Sequence, residues 1–269
     1  MSEASIGLLS ACWASISALG ASFGPAEWDI ATDCPGWSVR DNVSHLIAIE
    51  RRLLGFPNDP PLSEYPAYVK NEIGKFNEDA IELRRHRPGA EVLAEFNEIT
   101  AQRERALAAM STEDFDKVGW SPVGDVPYRR FMIVRLFDCW VHEQDIRRAV
   151  AKPGQLTGPV ADEAMAMHRG SLGYIVGKKA GAPDGSVVAF SVTGPTVAHY
   201  LVEVRDRRAA VVDGASATAT ATLICDTETY NALLCGRWTA DDALAKGRLQ
   251  LDGDLELATA VASSMGYLF

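Results

Sequence analysis

FMIVRLFDCWVHEQDIRRAV, residues 131–150, is apolar on every side of a helix through its first three turns, the pattern of a helix buried inside a bundle. Before the run turns hydrophilic only Arg135, Asp138 and His142 interrupt it. Spaced i, i+3 and i+7, they share one stripe about 60° wide. A carboxylate buried there costs several kcal/mol unless a cation or metal ion stands beside it. Asp-x-x-x-His on a buried helix is therefore half a metal site. The alternative is an Arg135–Asp138 ion pair beside a satisfied core histidine.

Outward from this helix, the chain toward its N-terminus reads as more helices. Ile6, Leu9, Trp13, Ile16 and Leu19 recur at helical spacing over 5–20. After Asp33-Cys34-Pro35-Gly36-Trp37, Ser38 with Asp41 three residues on forms an acidic capping box that opens a helix over 39–54. Val39, Val43, Leu46, Glu50 and Leu53 make its inner face, with His45 on the flank. Helices over 67–85 and 88–110 follow a proline-rich connection, giving an up-and-down four-helix bundle with an extra helix and sites between facing helices.

Toward the C-terminus, a helix over 160–176 precedes a change of character. Short β-rich runs at 187–192, 200–204, 209–212 and 217–224 are bounded by turn residues. Helices at 226–234 and 239–246, a strand at 248–251 and a helix from Asp254 complete an α+β unit. The expected division is 1–182 for the bundle and 183–269 for the α+β domain.

Composition narrows the function. A formal net charge of −10 provides no basic field to gather phosphates, which argues against nucleic-acid and anionic-membrane surfaces. Five cysteines without a C-x-x-C pair suit a reducing compartment, so the cytoplasm is expected. The run from Ile6 to Phe23 follows Glu3 rather than basic residues and reads as a first helix, not a signal peptide. No stretch is long and apolar enough to span a membrane. No glycine-rich phosphate loop or dinucleotide fingerprint is present.

Neutral imidazole and carboxylate are ordinary ligands for zinc, nickel or iron(II). A third ligand to join Asp138 and His142 has four histidine candidates: His45, His86, His168 and His199. Only His45 is both helical and internal to the bundle by pattern. Asp145, at i+3 from His142, is placed to orient its ring, although Glu143 and Asp145 also suit an exposed helix end. Cys34 and Cys139 read as buried rather than nucleophilic, since no histidine adjoins Cys34 in sequence and Cys139 has apolar neighbours.

Two stretches carry a family resemblance. Cys34-Pro35-Gly36-Trp37-Ser38-Val39-Arg40-Asp41 with His45-Leu46, and Asp138-Cys139-Trp140-Val141-His142-Glu143-Gln144-Asp145-Ile146-Arg147, resemble the two signatures of the mycothiol-dependent maleylpyruvate isomerase family. Gly236-Arg237 and Leu251-Asp252-Gly253-Asp254 resemble its C-terminal domain, similar to the sterol carrier protein fold. The resemblance implies a DinB-like metal-binding bundle followed by a small sterol-carrier-like α+β domain. It implies a divalent metal, usually zinc, on His45, Asp138 and His142, and mycothiol as cosubstrate. Asp138 stands where the isomerase is similar but carries a longer glutamate.

The activity this implies is that of an enzyme, an isomerase or thiol S-transferase, in which a metal-bound thiolate attacks a small electrophile. A monomer without nucleic-acid or membrane partners is expected. Arg237 or Arg248 is a candidate for a substrate carboxylate, with a charged strand or helix end as the alternative. The competing reading is a non-catalytic small-ligand-binding protein whose metal staples the bundle.

Overall fold

A computed structural model describes residues 3–213 and 218–266, with only the backbone described for residues 3–5. The chain forms two compact units, Met1–Gly154 and Gln155–Phe269.

The first unit is helical. Its elements are α1 (Glu3–Ala21), α2 (Val39–Leu53), α3 (Glu72–Glu82), α4 (Gly89–Ala108), α5 (Thr112–Asp116), a minimal hairpin of β1 (Val118–Gly119) and β2 (Val126–Pro127), and α6 (Tyr128–Ala149). α1 packs on α4 and α6, and α2 packs on the same two helices, closing a ring of four. α3 lies against α2. Trp13, Phe96, Phe137 and Trp140 fill the interior, each worth roughly 1.5–3 kcal/mol or more of apolar burial.

Local chemistry sets the start of α2. Ser38 Oγ accepts from the Asp41 backbone N–H while Asp41 Oδ2 accepts from the Ser38 N–H at 2.9 Å, the reciprocal cap expected from the sequence. α3 is shorter than its apolar periodicity predicts. It begins only after Asn71, whose side chain accepts from Gly74 N–H and caps it, and residues 67–70 stay outside the helix, 67 and 68 in a turn.

The second unit is α+β. It runs α7 (Pro159–Arg169), a π-helical segment (Tyr174–Lys179), β3 (Val187–Thr193), β4 (Ala198–Arg205), β5 (Arg208–Val212), β6 (Ala221–Asp226), α8 (Thr227–Leu234), α9 (Ala240–Ala245), β7 (Leu249–Gly253) and α10 (Leu255–Ser263). Its sheet has the order β5-β4-β3-β6-β7, with β3 and β6 parallel and the other pairs antiparallel. The expected strand over 217–224 begins outside the described residues, and β6 extends two residues past its predicted end.

The helix expected over 160–176 breaks at Gly170. Beyond the break the chain presses onto β5, where a Cβ at Gly173 would lie 2.6 Å from the Ala209 carbonyl oxygen. Met165, Leu172, Ile175 and Val176 belong to the core of the sheet unit, which is why the division falls at 154/155 and not at the change of composition near 182. No helix among the described residues is long and apolar enough to cross a membrane.

Candidate metal centre

α2 and α6 bring together three side chains from two distant stretches of sequence. His45 Nε2 lies 3.2 Å from Asp138 Oδ2, and His142 Nε2 lies 3.5 Å from Asp138 Oδ1. The two imidazole centroids are 4.7 Å apart. Both histidines are buried, and one ligand atom from each of the three residues lies within 4.8 Å of the others. Donors on a tetrahedral ion with bonds of about 2.0–2.1 Å stand roughly 3.3–3.4 Å apart, so this donor set fits a small divalent ion. Burial of His45 follows from the surroundings of α2: α3, α4 and α6 pack around it, so the flank of its apolar face is enclosed as well.

A short loop roofs the site. An isolated bridge joins Ala31 to Ser38, and Thr32 N–H donates to the Trp37 carbonyl at 2.9 Å. The Trp37 indole lies 5.3 Å from the His45 ring and 5.7 Å from the His142 ring. Gly36 makes the loop possible. Its φ of +78° favours glycine, and a Cβ there would sit 2.3 Å from the Tyr68 ring.

Below the site lies a chain of buried charge. Arg135 donates to Glu50 Oε1 from Nη2 at 2.7 Å and from Nε at 3.0 Å, and its Nη1 donates to Asp138 Oδ2. Glu50 Oε2 accepts from Arg103 Nε at 2.8 Å, and Arg103 Nη2 donates to the Tyr128 hydroxyl at 2.9 Å. Asp138 thus has one oxygen shared by His45 and Arg135, and the other toward His142.

The electrostatics separate the two histidines. Burial dominates at His45 and lowers its pKa despite Asp138. Burial also opposes charge on His142, but its contacts with Asp138, Asp145 and Cys34 outweigh it and hold the ring well above the usual imidazole range. Burial pushes the Asp138 carboxyl up, yet the Arg135 guanidinium and the hydrogen bonds to His142 and His45 hold it well below the usual carboxylate range. Binding an ion here would release the proton held by His142.

Behind His142, its Nδ1 meets Asn42 Oδ1 at 2.8 Å and Asp145 Oδ2 at 3.3 Å. Cys34 Sγ donates to Asp145 Oδ2 at 3.2 Å and lies 3.9 Å from Nδ1, so Cys34, His142 and Asp145 form a second convergent group. Arg148 pairs with Asp145 Oδ1 and, at 2.7 Å, with Asp33. Glu143 points away, accepting from Ser15 Oγ of α1 at 2.6 Å and from Arg147 Nε at 2.9 Å.

The remaining candidates lie elsewhere. His86 and His199 are exposed, and His168 is buried in the second unit with Nε2 2.9 Å from Asn231 Oδ1. The Arg248 guanidinium lies 4.5 Å over the Trp238 ring, and Arg237 Nη1 donates to the Cys235 carbonyl at 3.0 Å. Cys139 is buried, and burial pushes its thiol up to about 12. Sequence pattern did not single out Asn42, Arg103, Glu50 or Trp37 for the site. A glutamate on the inner face of an apolar helix was the one available signal, at Glu50.

Fold and site together define a class: a helical bundle with an imidazole–carboxylate–imidazole centre, joined to a sterol-carrier-type α+β unit. The family model described as mycothiol maleylpyruvate isomerase N-terminal domain matches residues 9–147, and that of the SCP-2 sterol transfer family matches residues 178–265. The chain belongs to the mycothiol maleylpyruvate isomerase family. Among solved structures, the mycothiol-dependent maleylpyruvate isomerase shares the fold with a TM-score of 0.54 at 16% identity, over 88% of this chain and 89% of that one. A histidine-to-alanine mutant of that isomerase gives a TM-score of 0.53 at 16% identity over 93% and 92%. No curated protein sequence matches the chain.

Proposed function

We propose that this protein is a mycothiol-dependent enzyme in which His45, Asp138 and His142 hold a divalent ion, zinc in first place and nickel or iron(II) as alternatives. The reading is carried by one observation: donor atoms of those three side chains converge within 4.8 Å in a buried site. Membership of the family supports the thiol. Three protein ligands leave a coordination position open, whereas a closed structural zinc site normally has four. That favours chemistry over the alternative of a small-ligand-binding protein with a stapling metal.

A bound ion supplies the positive charge that strips the proton from a thiol near neutral pH. The chain's own residues prepare the place. His45 offers a ring nitrogen, Arg135 offsets the charge of Asp138, and the Trp37 indole keeps bulk water from the histidine rings. The proposed reaction is attack of the thiolate on an electrophilic carbon of a small molecule. Addition to a conjugated double bond, rotation and expulsion of the same thiol gives isomerisation. Displacement of a leaving group gives S-transfer.

Metal analysis of purified protein tests the site. Wild type is expected to retain about one ion per chain and His142→Ala to lose it, as removal of one of three ligands should. Equal stoichiometry in the two proteins would remove the site. Turnover of an electrophile panel with and without mycothiol tests the reaction, and no thiol-dependent turnover across the panel would leave the ligand-binding alternative.

A further inference from the structure

The hydrogen bonds behind His142 have a polarity that can be read from two backbone carbonyls. The Trp37 carbonyl can only accept, so the Thr32 hydroxyl, 2.9 Å away, donates to it. Thr32 Oγ1 then faces the Asn42 side chain as an acceptor, 3.0 Å from Nδ2. The Ser38 carbonyl is a second acceptor, 2.8 Å from the same nitrogen. Two acceptors on one side fix the amide with Nδ2 toward them and Oδ1 toward His142 Nδ1, at 2.8 Å. An amide oxygen accepts only, so Nδ1 is the donor. Asp145 Oδ2, 3.3 Å from the same nitrogen, adds a second acceptor.

We infer that Asn42 is a positioning residue that keeps the ring hydrogen of His142 on Nδ1 and so reserves Nε2 as the ligand atom. It thereby chooses between the two convergent groups that share this histidine. The His45, Asp138 and His142 set uses Nε2 and is compatible with the amide. The Cys34, His142 and Asp145 set requires a bare Nδ1 facing an amide oxygen, and it is excluded. A neutral amide does this without adding a further charge to a wall that already holds Asp138 and Asp145. Asn42 is fully buried, so water cannot take over its acceptor role. The consequence for metal binding rests on the proposed function; the position of the ring hydrogen does not.

Nitrogen-15 spectra of the imidazoles in zinc-loaded protein test this directly. The expected pattern for His142 is a protonated Nδ1 and a metal-bound Nε2. Zinc on Nδ1, or a hydrogen on Nε2, overturns the inference. Asn42→Leu, which removes the acceptor, is expected to weaken zinc binding by about 10- to 100-fold, the usual effect of losing such an outer partner. Zinc affinity unchanged in Asn42→Leu would remove the positioning role. Should wild type bind no zinc, nickel or iron(II), the proposed function falls and the metal-free protein still decides the tautomer. Raised in pH until the His142 ring is neutral, it is expected to keep the hydrogen on Nδ1, and a hydrogen on Nε2 overturns the inference.

Discussion

The two units bury polar groups in different ways. The helical unit encloses full charges, with Glu50, Arg84, Arg103, Arg135, Glu143 and Asp145 all buried and cross-linked by ion pairs. Among the described residues of the α+β unit, no aspartate, glutamate, lysine or arginine is buried, and its interior polar groups are His168, Asn231 and a few hydroxyls. Replacing a buried ion pair by apolar residues is often neutral or stabilising, so such pairs are weak contributors to stability. Their concentration around α2 and α6 therefore marks the unit whose interior does something besides hold itself together. The second unit shows how the same chain builds a core without that demand.

The sharpest way to break this comparison is to remove one charge from the helical unit. Glu50→Gln strands Arg103 and Arg135 in the interior and is expected to destabilise that unit by about 3–5 kcal/mol in denaturant unfolding. A loss under about 1 kcal/mol would mean that the ion pairs are solvated in practice and that the contrast is only apparent.

The neutral polar core answers to pH instead. Burial lowers the His168 pKa from 6.5 to about 4, against the opposing bond to Asn231. Between these values the unfolded chain takes up a proton that the folded one refuses. Stability from this group is thus fully present above about pH 6.5 and falls as the pH drops toward 4, by about 3 kcal/mol in all. Denaturant titrations of wild type and His168→Gln across this window should differ in slope. Parallel curves would show that His168 charges freely in the folded protein.

The smallest effect belongs to a neutral hydroxyl. Thr227 Oγ1 donates to the Thr196 carbonyl at 2.8 Å and accepts from the Thr196 N–H at 3.1 Å. Thr227→Val keeps the shape and loses both bonds, and about 1–2 kcal/mol is expected. If its thermal and denaturant midpoints fell as far as those of Glu50→Gln, neutral and charged burial would not be distinguishable here.

What could be read from letters was local. Apolar recurrence along 131–150 gave the buried helix, Ser38 and Asp41 gave the opening of α2, and the spacing of Asp138 and His142 placed both on one stripe. The break was not read from the letters although Gly170 is a local signal for it, whereas the close approach of β5 to Gly173, nearly forty residues on, was not legible at all. The same holds for the site's supports.

The sequence by itself determined which helices form and which side chains share a face, because those depend on neighbours three or four residues away. That His45 meets Asp138 across 93 residues was implied by the family resemblance and not by periodicity, and only the tertiary structure decided that Glu50 reaches Arg135 across 85 and that Asn42 holds His142 across 100. Periodicity carries no information about such pairings. They follow from the closing of α1, α2, α4 and α6 into one ring, where the need to satisfy every buried charge and amide selects the partners.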